Sequence, residues 1–301
     1  MKLTSIINSS FTNSLGIFLS KTVPPLLAYR ISDMLVGFIS TQKKLELVKA
    51  VRLNQWVVHD FQLSGHELDK RVYRVFKYHL RSMYDLYHNI YRHDRIRRKV
   101  TFSPELVTLL QQHKQSGHGL LITAPHLSSI DMAGISLALG GVEFSILSYP
   151  QPPSGYRLQN KIRQDVGIEV LPASFNNLRI AGERLQEGKI VITGVDRPMQ
   201  ESNYIPDFFG QPAMVPVTPV RLALKYNAMV AVCACISNLK GRYEIAATEP
   251  IPLVRSPNLI SELTTNTERI LHEVEQLIRA HPEQWAMFYP VWPELSGKML
   301  I

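Results

Sequence analysis

Residues 119–134, GLLITAPHLSSIDMAG, join an apolar run to a helical pattern through a histidine. The run LLITA predicts a buried β-strand, and Pro125 cannot continue the hydrogen-bonding ladder of a strand interior. The pattern LSSIDMAGISLAL that follows predicts a helix with Ser128 or Ser129 as its N-cap. We therefore expect His126 in the loop at the carboxyl end of a strand, where open α/β sheets bind their ligands.

The alternation of strand and helix continues on both sides of this segment, from about Leu106 onward. The strand-like runs are GLLITA, EFSILS, GIEVLP, KIVITG, MVAVCACI and RYEIAA, and NNLRIAGERLQEG and PVRLALKYN have helical spacing. Such alternation predicts an α/β fold with a mixed, largely parallel sheet flanked by helices. The tail NLISELTTNTERILHEVEQLIRAHPEQW predicts one or two amphipathic helices that end before Pro282.

The N-terminal part of the chain has helical patterns only. We expect residues 1–100 to form a helical subdomain, with association with a membrane as one alternative, and residues 101–301 to form an α/β core with C-terminal helices. The clearest helix follows Ser64, which is placed to form a capping box with Glu67. The earlier segment SLGIFLSKTVPPLLAYRISDMLVGFIS is apolar, but charged residues and prolines interrupt it before the roughly 18 to 20 residues that a membrane span requires. Its helices are expected either to lie on a membrane or to pack in the core.

The composition narrows the partners and the redox chemistry. The formal net charge of +8 favours an anionic partner: phospholipid head groups, an acidic carrier protein, phosphorylated substrates or nucleic acid. The basic run RHDRIRRKV has no interleaved aromatic residues, which weakens the case for single-stranded nucleic acid. The only two cysteines, Cys233 and Cys235, fall on one face of one strand and predict reduced core thiols rather than a disulfide framework or a zinc site.

Several enzyme classes are excluded by missing motifs. The sequence has no G-x-S-x-G, H-E-x-x-H, P-loop or G-x-G-x-x-G pattern, which excludes most serine hydrolases, zincins, P-loop NTPases and dinucleotide enzymes. His126 has an acid five residues later, Asp131, although about one such pair is expected by chance in a chain of this composition. Asp131 in the first turn of a helix would accept from Nδ1–H of His126 and leave Nε2 as a base. The alternative is a structural histidine at a strand end.

Longer segments carry a resemblance to a known family. RLNQWVV, YRLQNKIRQDVGIEVLP, VDRPMQESNYIPDFFGQPAMVPVTPVRLALKYNA, RYEI and HPEQW occur in the order in which that family uses them, over roughly residues 45 to 285. The sequence resembles the bacterial lysophospholipid acyltransferase superfamily, and within it the lipid A late acyltransferases and the phosphatidylinositol mannoside acyltransferases. The resemblance implies transfer of a fatty acyl chain from acyl-CoA or acyl carrier protein to a hydroxyl of a membrane lipid or glycolipid.

The resemblance also implies roles for individual residues. His126 would be the general base on the acceptor hydroxyl, and Asp131 would orient it. Arg157, Asn160 and Arg163 match a segment that contacts anionic or oxyanion groups. Asp196 and Arg197 match a pair beside the dyad that either holds substrate or braces its loop. Further on, Phe208 and Phe209 would line an acyl tunnel or pack in the core.

The sequence departs from the family at three points, two of which narrow the acceptor. The F-P-E-G motif of glycerol-phosphate acyltransferases is absent, which argues against lysophosphatidate. The tail PEQWAMFYPVWPE lacks the basic and aromatic ending of lipid A enzymes, which argues against lipid A as the acceptor. In VDRPMQES a proline follows Arg197 where relatives of the mannoside type often carry a second acid, so a different local loop is expected there.

The expected setting follows from the resemblance and the charge. We expect a peripheral or monotopic protein at the cytoplasmic face of the bacterial inner membrane, in contact with anionic phospholipid. No metal, no cofactor other than the acyl-CoA or acyl carrier protein co-substrate, and no nucleic acid partner are expected. The alternatives are a catalytically inactive lipid-binding homologue and a basic nucleic-acid-binding protein.

Overall fold

A computed structural model describes residue 20 and residues 22–127, 129–152, 154–199 and 202–298. Its first elements are helices: α1 Pro25–Ser40, α2 Glu46–Val58, α3 Gly65–Asn89 and α4 His93–Lys99. The capping box predicted at the start of α3 is confirmed, because Ser64 and Glu67 exchange hydrogen bonds. Part of the interrupted apolar segment, residues 14–19 and 21, lies outside the described residues. The division of the chain at residue 100 into two subdomains stays a prediction.

Strands and helices then alternate as far as Ala280, and six of the nine described strands correspond to the predicted runs. The strands are β1 Val100–Phe102, β2 Leu120–Ala124, β3 Phe144–Ser148, β4 Glu169–Pro172, β5 Ile190–Gly194, β6 Asp207–Phe208, β7 Gln211–Pro212, β8 Met229–Ser237 and β9 Tyr243–Ala247. The helices are α5 Pro104–Ser116, α6 Ile130–Leu139, α7 Ser154–Asp165, α8 Phe175–Gln186, α9 Thr218–Tyr226 and α10 Leu259–Ala280, followed by 3₁₀ turns at Pro282–Gln284 and Pro293–Lys298. The C-terminal pattern thus forms one long helix.

Seven strands form one mixed sheet in the order β1-β9-β8-β2-β5-β3-β4. Every neighbouring pair is parallel except β8 and β9, which are antiparallel. The predicted α/β class with a largely parallel sheet is confirmed. Because parallel strands end at the same edge, the loops that leave β2, β3, β5 and β8 gather at one side of the molecule.

Both faces of the sheet are covered by helices. Apolar side chains of α2, α8, α9 and α10 pack on one face, and those of α4, α5, α6 and α7 pack on the other. The central strand β2 is buried on both faces, since Leu121 faces the first layer while Leu120 and Ile122 face the second. Cys233 and Cys235 lie together in the second layer as free, buried thiols, as predicted.

Helix α1 leaves an apolar surface uncovered. It packs on α3 through Ala28 and Val36, while its opposite side carries six exposed apolar side chains. These are Leu26, Leu27, Ile31, Met34, Leu35 and Phe38, here called the α1 apolar face. Among the helices that the structure describes, none is both long and apolar enough to cross a bilayer.

Candidate active site

The loop after β2 places His126 at the carboxyl edge of the sheet. A C-terminal segment pairs with this loop: Leu127 and Trp285 form an antiparallel bridge, and the backbone N–H of Ala286 donates to the carbonyl oxygen of His126 over 2.9 Å. The His126 side chain keeps 34% of its surface exposed. The histidine is therefore fixed through its backbone while its ring still reaches solvent.

Asp196 is the carboxylate that holds the imidazole. Its Oδ1 lies 2.6 Å from Nδ1 of His126, and its Oδ2 accepts from the backbone N–H of His126 at 2.8 Å and from Nε1 of Trp285 at 2.8 Å. An ionised carboxylate only accepts hydrogen bonds, so Nδ1 carries the proton and the lone pair is on Nε2. No hydrogen bond of Nε2 occurs among the described residues, and this nitrogen is available as a base.

The electrostatics of the pair favour a charged imidazole when a proton arrives. Burial on its own lowers the pKa of His126, but the charge of Asp196 and its hydrogen bond outweigh burial, and the net pKa is raised from 6.5. Burial raises the pKa of Asp196, whereas His126 and the donated hydrogen bonds lower it, and the net pKa is lowered. Asp196 has no exposed surface, so its negative charge acts on the ring with little screening by water.

The expected contact between His126 and Asp131 is corrected by this geometry. Asp131 lies in the first turn of α6, as predicted, but its Oδ1 accepts from Nε of Arg163 at 2.7 Å and lies 2.6 Å from a terminal nitrogen of the same guanidinium. Strand register explains why Asp196 takes the place at the ring. Ala124 of β2 pairs with Gly194 of β5, so the residues two positions beyond each strand end lie side by side.

The remaining residues predicted to contact substrate divide into a buried and an exposed group. Arg163 is 6% exposed, donates to Oδ1 of Asn160 at 2.9 Å, and its guanidinium lies 5.3 Å from the ring centroid of Tyr156. Burial lowers the pKa of Arg163, but the charge of Asp131 outweighs it and the net pKa is raised. Arg157 lies in the same helix, α7, with its side chain exposed. Arg163 therefore joins α7 to α6 through Asp131, while Asn160 donates to Oγ of Ser148 in β3 at 3.4 Å. Of the three residues, only Arg157 faces solvent.

Arg197 is enclosed by two aromatic rings at the mouth of the site. Its guanidinium carbon lies 4.5 Å from the ring centroid of Tyr149, which follows β3, and 4.4 Å from that of Tyr289 in the C-terminal segment. Aromatic rings at these distances hold a guanidinium by cation–π attraction, and its N–H groups remain able to donate to another ligand. No hydrogen bond of these groups to a described residue occurs. Arg197 also contributes a positive charge that acts on His126.

Two further features surround the His126–Asp196 pair. A Cβ added to Gly194 would lie 3.1 Å from Cε1 of His126, so the ring occupies the space that any side chain there would need. Behind Asp196, Phe208 and Phe209 pack with the buried indoles of Trp285 and Trp292 at ring-centroid distances of 4.7 to 6.3 Å. Both phenylalanines are buried in this cluster, which favours the core-packing alternative over a tunnel lining.

Sequence reasoning missed four residues of this site: Gly194, Tyr149, Tyr289 and Trp285. Of these, only Trp285 could have been identified from the sequence, since it ends the segment HPEQW that contributes to the family resemblance. The contacts of the others depend on which strands are neighbours. Within the described ranges, no three His, Cys, Asp or Glu side chains gather as a metal site would require.

Comparison with known proteins identifies relatives of this chain. A family model described as bacterial lipid A biosynthesis acyltransferase matches residues 72–294. A phosphatidylinositol mannoside acyltransferase of Mycobacterium tuberculosis is 27% identical over 181 residues, which cover 59% of this chain and 55% of that protein. A phosphatidylinositol mannoside acyltransferase of Mycolicibacterium smegmatis is 25% identical over 181 residues, which cover 59% of this chain and 58% of that protein. The matched region thus spans little more than half the length of these relatives.

Proposed function

Since this chain belongs to the bacterial lipid A biosynthesis acyltransferase family, we propose that it transfers a fatty acyl chain from a thioester, acyl-CoA or acyl carrier protein, to a hydroxyl of a membrane lipid or glycolipid. The observation that carries this proposal is the His126–Asp196 pair, with Nδ1 and Oδ1 2.6 Å apart at the carboxyl edge of the sheet. The names of the relatives in both mycobacteria favour a glycolipid acceptor.

In the mechanism that we propose, Nε2 of His126 removes the proton of the acceptor hydroxyl as its oxygen attacks the thioester carbonyl. Asp196 stabilises the imidazolium that forms, because its carboxylate is already hydrogen-bonded to the ring before the proton is transferred. The tetrahedral intermediate collapses by breaking the C–S bond, and the imidazolium returns its proton to the departing sulfur. The products are the acyl ester and a free thiol, and the base is regenerated without a covalent acyl-enzyme.

The cationic residues have separate roles in this proposal. Arg197 presents its N–H edge to negative charge at the mouth, either on the oxyanion or on a phosphate of a substrate. Arg157, exposed on α7, contacts an anionic group further out. Asp131 and Arg163 act as positioning residues, since they join α6 to α7 and so support the loop that carries His126. Asn160 supports this pair by accepting from Arg163 and donating to Ser148 of β3.

The α1 apolar face is the part of the surface that we propose to contact the membrane. Its six apolar side chains lie on one half of the helix, which is typical of a helix that lies in the interfacial plane of a bilayer. Tyr84 and His88 hold the chain just before α1 against the end of α3, and the basic helix α4 follows directly. A peripheral position on an anionic leaflet, at the cytoplasmic face of the cell membrane, fits this combination.

The test is release of free thiol by the purified full chain in detergent, from acyl-CoAs and acyl carrier proteins of graded chain length, with a membrane lipid extract as acceptor. Thiol release and labelled acyl lipid are expected to disappear together in His126→Ala. His118→Ala, at an exposed histidine, is the matched control and should behave as the wild type. Equal turnover by His126→Ala would refute the assigned base, and lipid binding without turnover by the wild type would favour the inactive homologue.

A further inference from the structure

A cavity lies apart from the catalytic pair. It encloses about 830 Å³ beside the first half of α3, and Leu239 and Glu283 close its other side. Cavities that bind small molecules have volumes of about 300 to 1,000 Å³, so this one is large enough for a nucleotide or a sugar phosphate. None of the residues given a role in the proposed reaction lines it.

The acidic side chains of this cavity already have hydrogen-bond or ion-pair partners. Glu67 accepts from the backbone N–H and the hydroxyl of Ser64 at 2.8 and 2.7 Å. Asp69 lies 3.1 Å from Nζ of Lys43 and also pairs with Arg52. The third acid, Glu283, lies 3.7 Å from a guanidinium nitrogen of Arg71. The carboxylates are therefore engaged with other groups around the cavity.

Two strong cations of the lining have no such partner. Lys77 pairs with Asp33 at 3.2 Å, but Lys70 and Arg74 are exposed and make no ion pair with any described residue. They are four residues apart on α3, so their side chains lie one above the other on the same face. Like charges in this arrangement disfavour a helix slightly, and an anion placed between them removes that repulsion.

The lining also provides neutral donors and an aromatic surface. Tyr73 and Tyr78 line the cavity, and His66 lies one further turn before Lys70 on the same face of α3. A lysine and an arginine flanked by tyrosine hydroxyls match the several oxygens of a phosphate ester, which accept multiple charge-assisted hydrogen bonds.

The cavity lies at the same edge of the sheet as the catalytic pair. Leu239 is two residues beyond the end of β8, the strand next to β2. Gln284, adjacent to the lining residue Glu283, accepts from the backbone N–H of Ser237 at 2.8 Å and donates to its carbonyl at 2.9 Å. The next residue, Trp285, donates to Asp196. The wall of the cavity is thus joined to the catalytic carboxylate through consecutive residues.

We propose that this cavity binds an organic phosphate through Lys70 and Arg74, and that it holds the phosphorylated end of a substrate whose acyl or hydroxyl group reaches His126. The identification of the occupant as a substrate rests on the proposed acyltransferase function. Two sources share this chemistry: the nucleotide of a coenzyme A donor and the head group of a phosphate-bearing lipid acceptor. Both sources present a phosphate ester, which is the ligand class that the charges of Lys70 and Arg74 fit.

The test compares two double variants of the full chain. Lys70→Gln/Arg74→Gln removes the two unpaired cations, and glutamine maintains helix propensity. Lys114→Gln/Arg269→Gln removes one lysine and one arginine from exposed positions outside the lining and is the matched control. Calorimetric titration at fixed ionic strength uses adenosine 3′,5′-bisphosphate for the donor source and glycerophosphoinositol for the lipid source. Adenosine and inositol, which lack phosphate, are the ligand controls.

The expected result is that one phosphate probe binds the wild type and that its Kd rises about tenfold or more in Lys70→Gln/Arg74→Gln, as loss of two charge-assisted contacts predicts. The control variant should stay within about twofold of the wild type, and the probe that responds identifies the source. Unchanged binding in Lys70→Gln/Arg74→Gln, or no binding of either probe to the wild type, would overturn the proposal. If neither probe binds and Lys70→Gln/Arg74→Gln raises KM for acyl carrier protein, the result would instead indicate that the cavity contacts the acidic surface of that protein.

Binding and turnover also separate this inference from the proposed function. His126→Ala is expected to bind the phosphate probe as the wild type does, because the cavity lies apart from the ring. Lys70→Gln/Arg74→Gln is expected to raise KM for one substrate and to keep kcat at saturation. A chain that binds phosphate through these cations but releases no thiol would preserve the site and refute the acyltransferase proposal.

Discussion

Nε1 of Trp285 donates a hydrogen bond to Oδ2 of Asp196 over 2.8 Å, although the two residues are 89 positions apart. The same oxygen accepts from the backbone of His126, and the other oxygen of the carboxylate holds the imidazole. Trp285 therefore fixes the carboxylate that fixes the base. Because neither Asp196 nor Trp285 is accessible to water, the loss of this donor leaves a buried carboxylate oxygen with the backbone N–H of His126 as its one remaining donor among the described residues.

Trp285→Phe is expected to lower kcat and to destabilise the fold by about 1.5 to 3 kcal/mol, the range for a hydrogen bond to a charged group. Trp292→Phe is the matched control, since the buried Nε1 of Trp292 has no hydrogen-bond partner among the described residues. Denaturant unfolding and steady-state kinetics provide the comparison. An equal loss of stability in both variants would show that ring volume, and not the hydrogen bond, is what Trp285 contributes.

Asp196→Asn and Asp131→Asn are expected to fail in different ways. Asp196→Asn should reduce transfer by about 10² to 10⁴, the range of general base catalysis, because the imidazolium loses its charged partner. Asp131→Asn leaves the guanidinium of Arg163 buried without a carboxylate, which is expected to cost about 3 to 5 kcal/mol of stability. The rate per folded molecule and the free energy of unfolding are measured for each. A larger rate loss in the well-folded fraction of Asp131→Asn would restore Asp131 as the partner of the base.

The pH profile should report the raised pKa of His126. Burial lowers this pKa and Asp196 raises it, with a net value above 6.5. The base works only when neutral, so kcat/KM is expected to rise with pH through this pKa and to be lost as pH falls below it.

The contribution of Asp196 to folding stability has the opposite pH dependence. The stabilisation of the imidazolium is complete below the pKa of about 6.5 in the unfolded chain and is lost as pH rises through the pKa in the folded protein. The kinetic pKa in Asp196→Asn should lie below that of the wild type, and an identical profile would contradict the pairing.

Gly194→Ala should displace the imidazole, because the new Cβ would meet Cε1 of His126 at 3.1 Å. We expect kcat to fall about tenfold or more while the melting temperature changes little, since a small shift of a base is costly to catalysis. Gly297→Ala is the control, because a Cβ there meets nothing within 4 Å. Wild-type kinetics in Gly194→Ala would mean that the ring tolerates the displacement and that the close contact has no role.

Phe38→Gln should weaken binding to vesicles that contain anionic phospholipid. Phe38 is 66% exposed on the α1 apolar face, and transfer of its ring into lipid contributes on the order of 1.5 to 3 kcal/mol, or about ten- to a hundredfold in partitioning. Phe175→Gln, at a phenylalanine that is 91% exposed on α8, should bind as the wild type. Sedimentation with vesicles at two salt concentrations measures both variants, and binding and activity should fall together as salt rises. Salt-independent binding would remove the electrostatic part of the membrane proposal.

The elements and the position of the base could be predicted because their signals are local. The β-branched runs predict the strands, the capping box predicts the start of α3, and Pro125 predicts the strand end before His126. The contacts of the base could not be predicted in the same way. Proximity along the chain favours Asp131 as the partner of His126, but in a helix that starts at Ile130 this carboxylate contacts Arg163 of α7.

The sequence by itself determined that this chain alternates strands and helices, that His126 leaves a strand at its carboxyl end, and that its segments resemble an acyltransferase family. These properties depend on residues close together in the chain, through periodicity and turn chemistry. Only the tertiary structure decided that Asp196, Trp285 and Gly194 surround the imidazole. The physical reason is strand order: β2 and β5 are neighbours in register, and their ends bring together residues 70 positions apart.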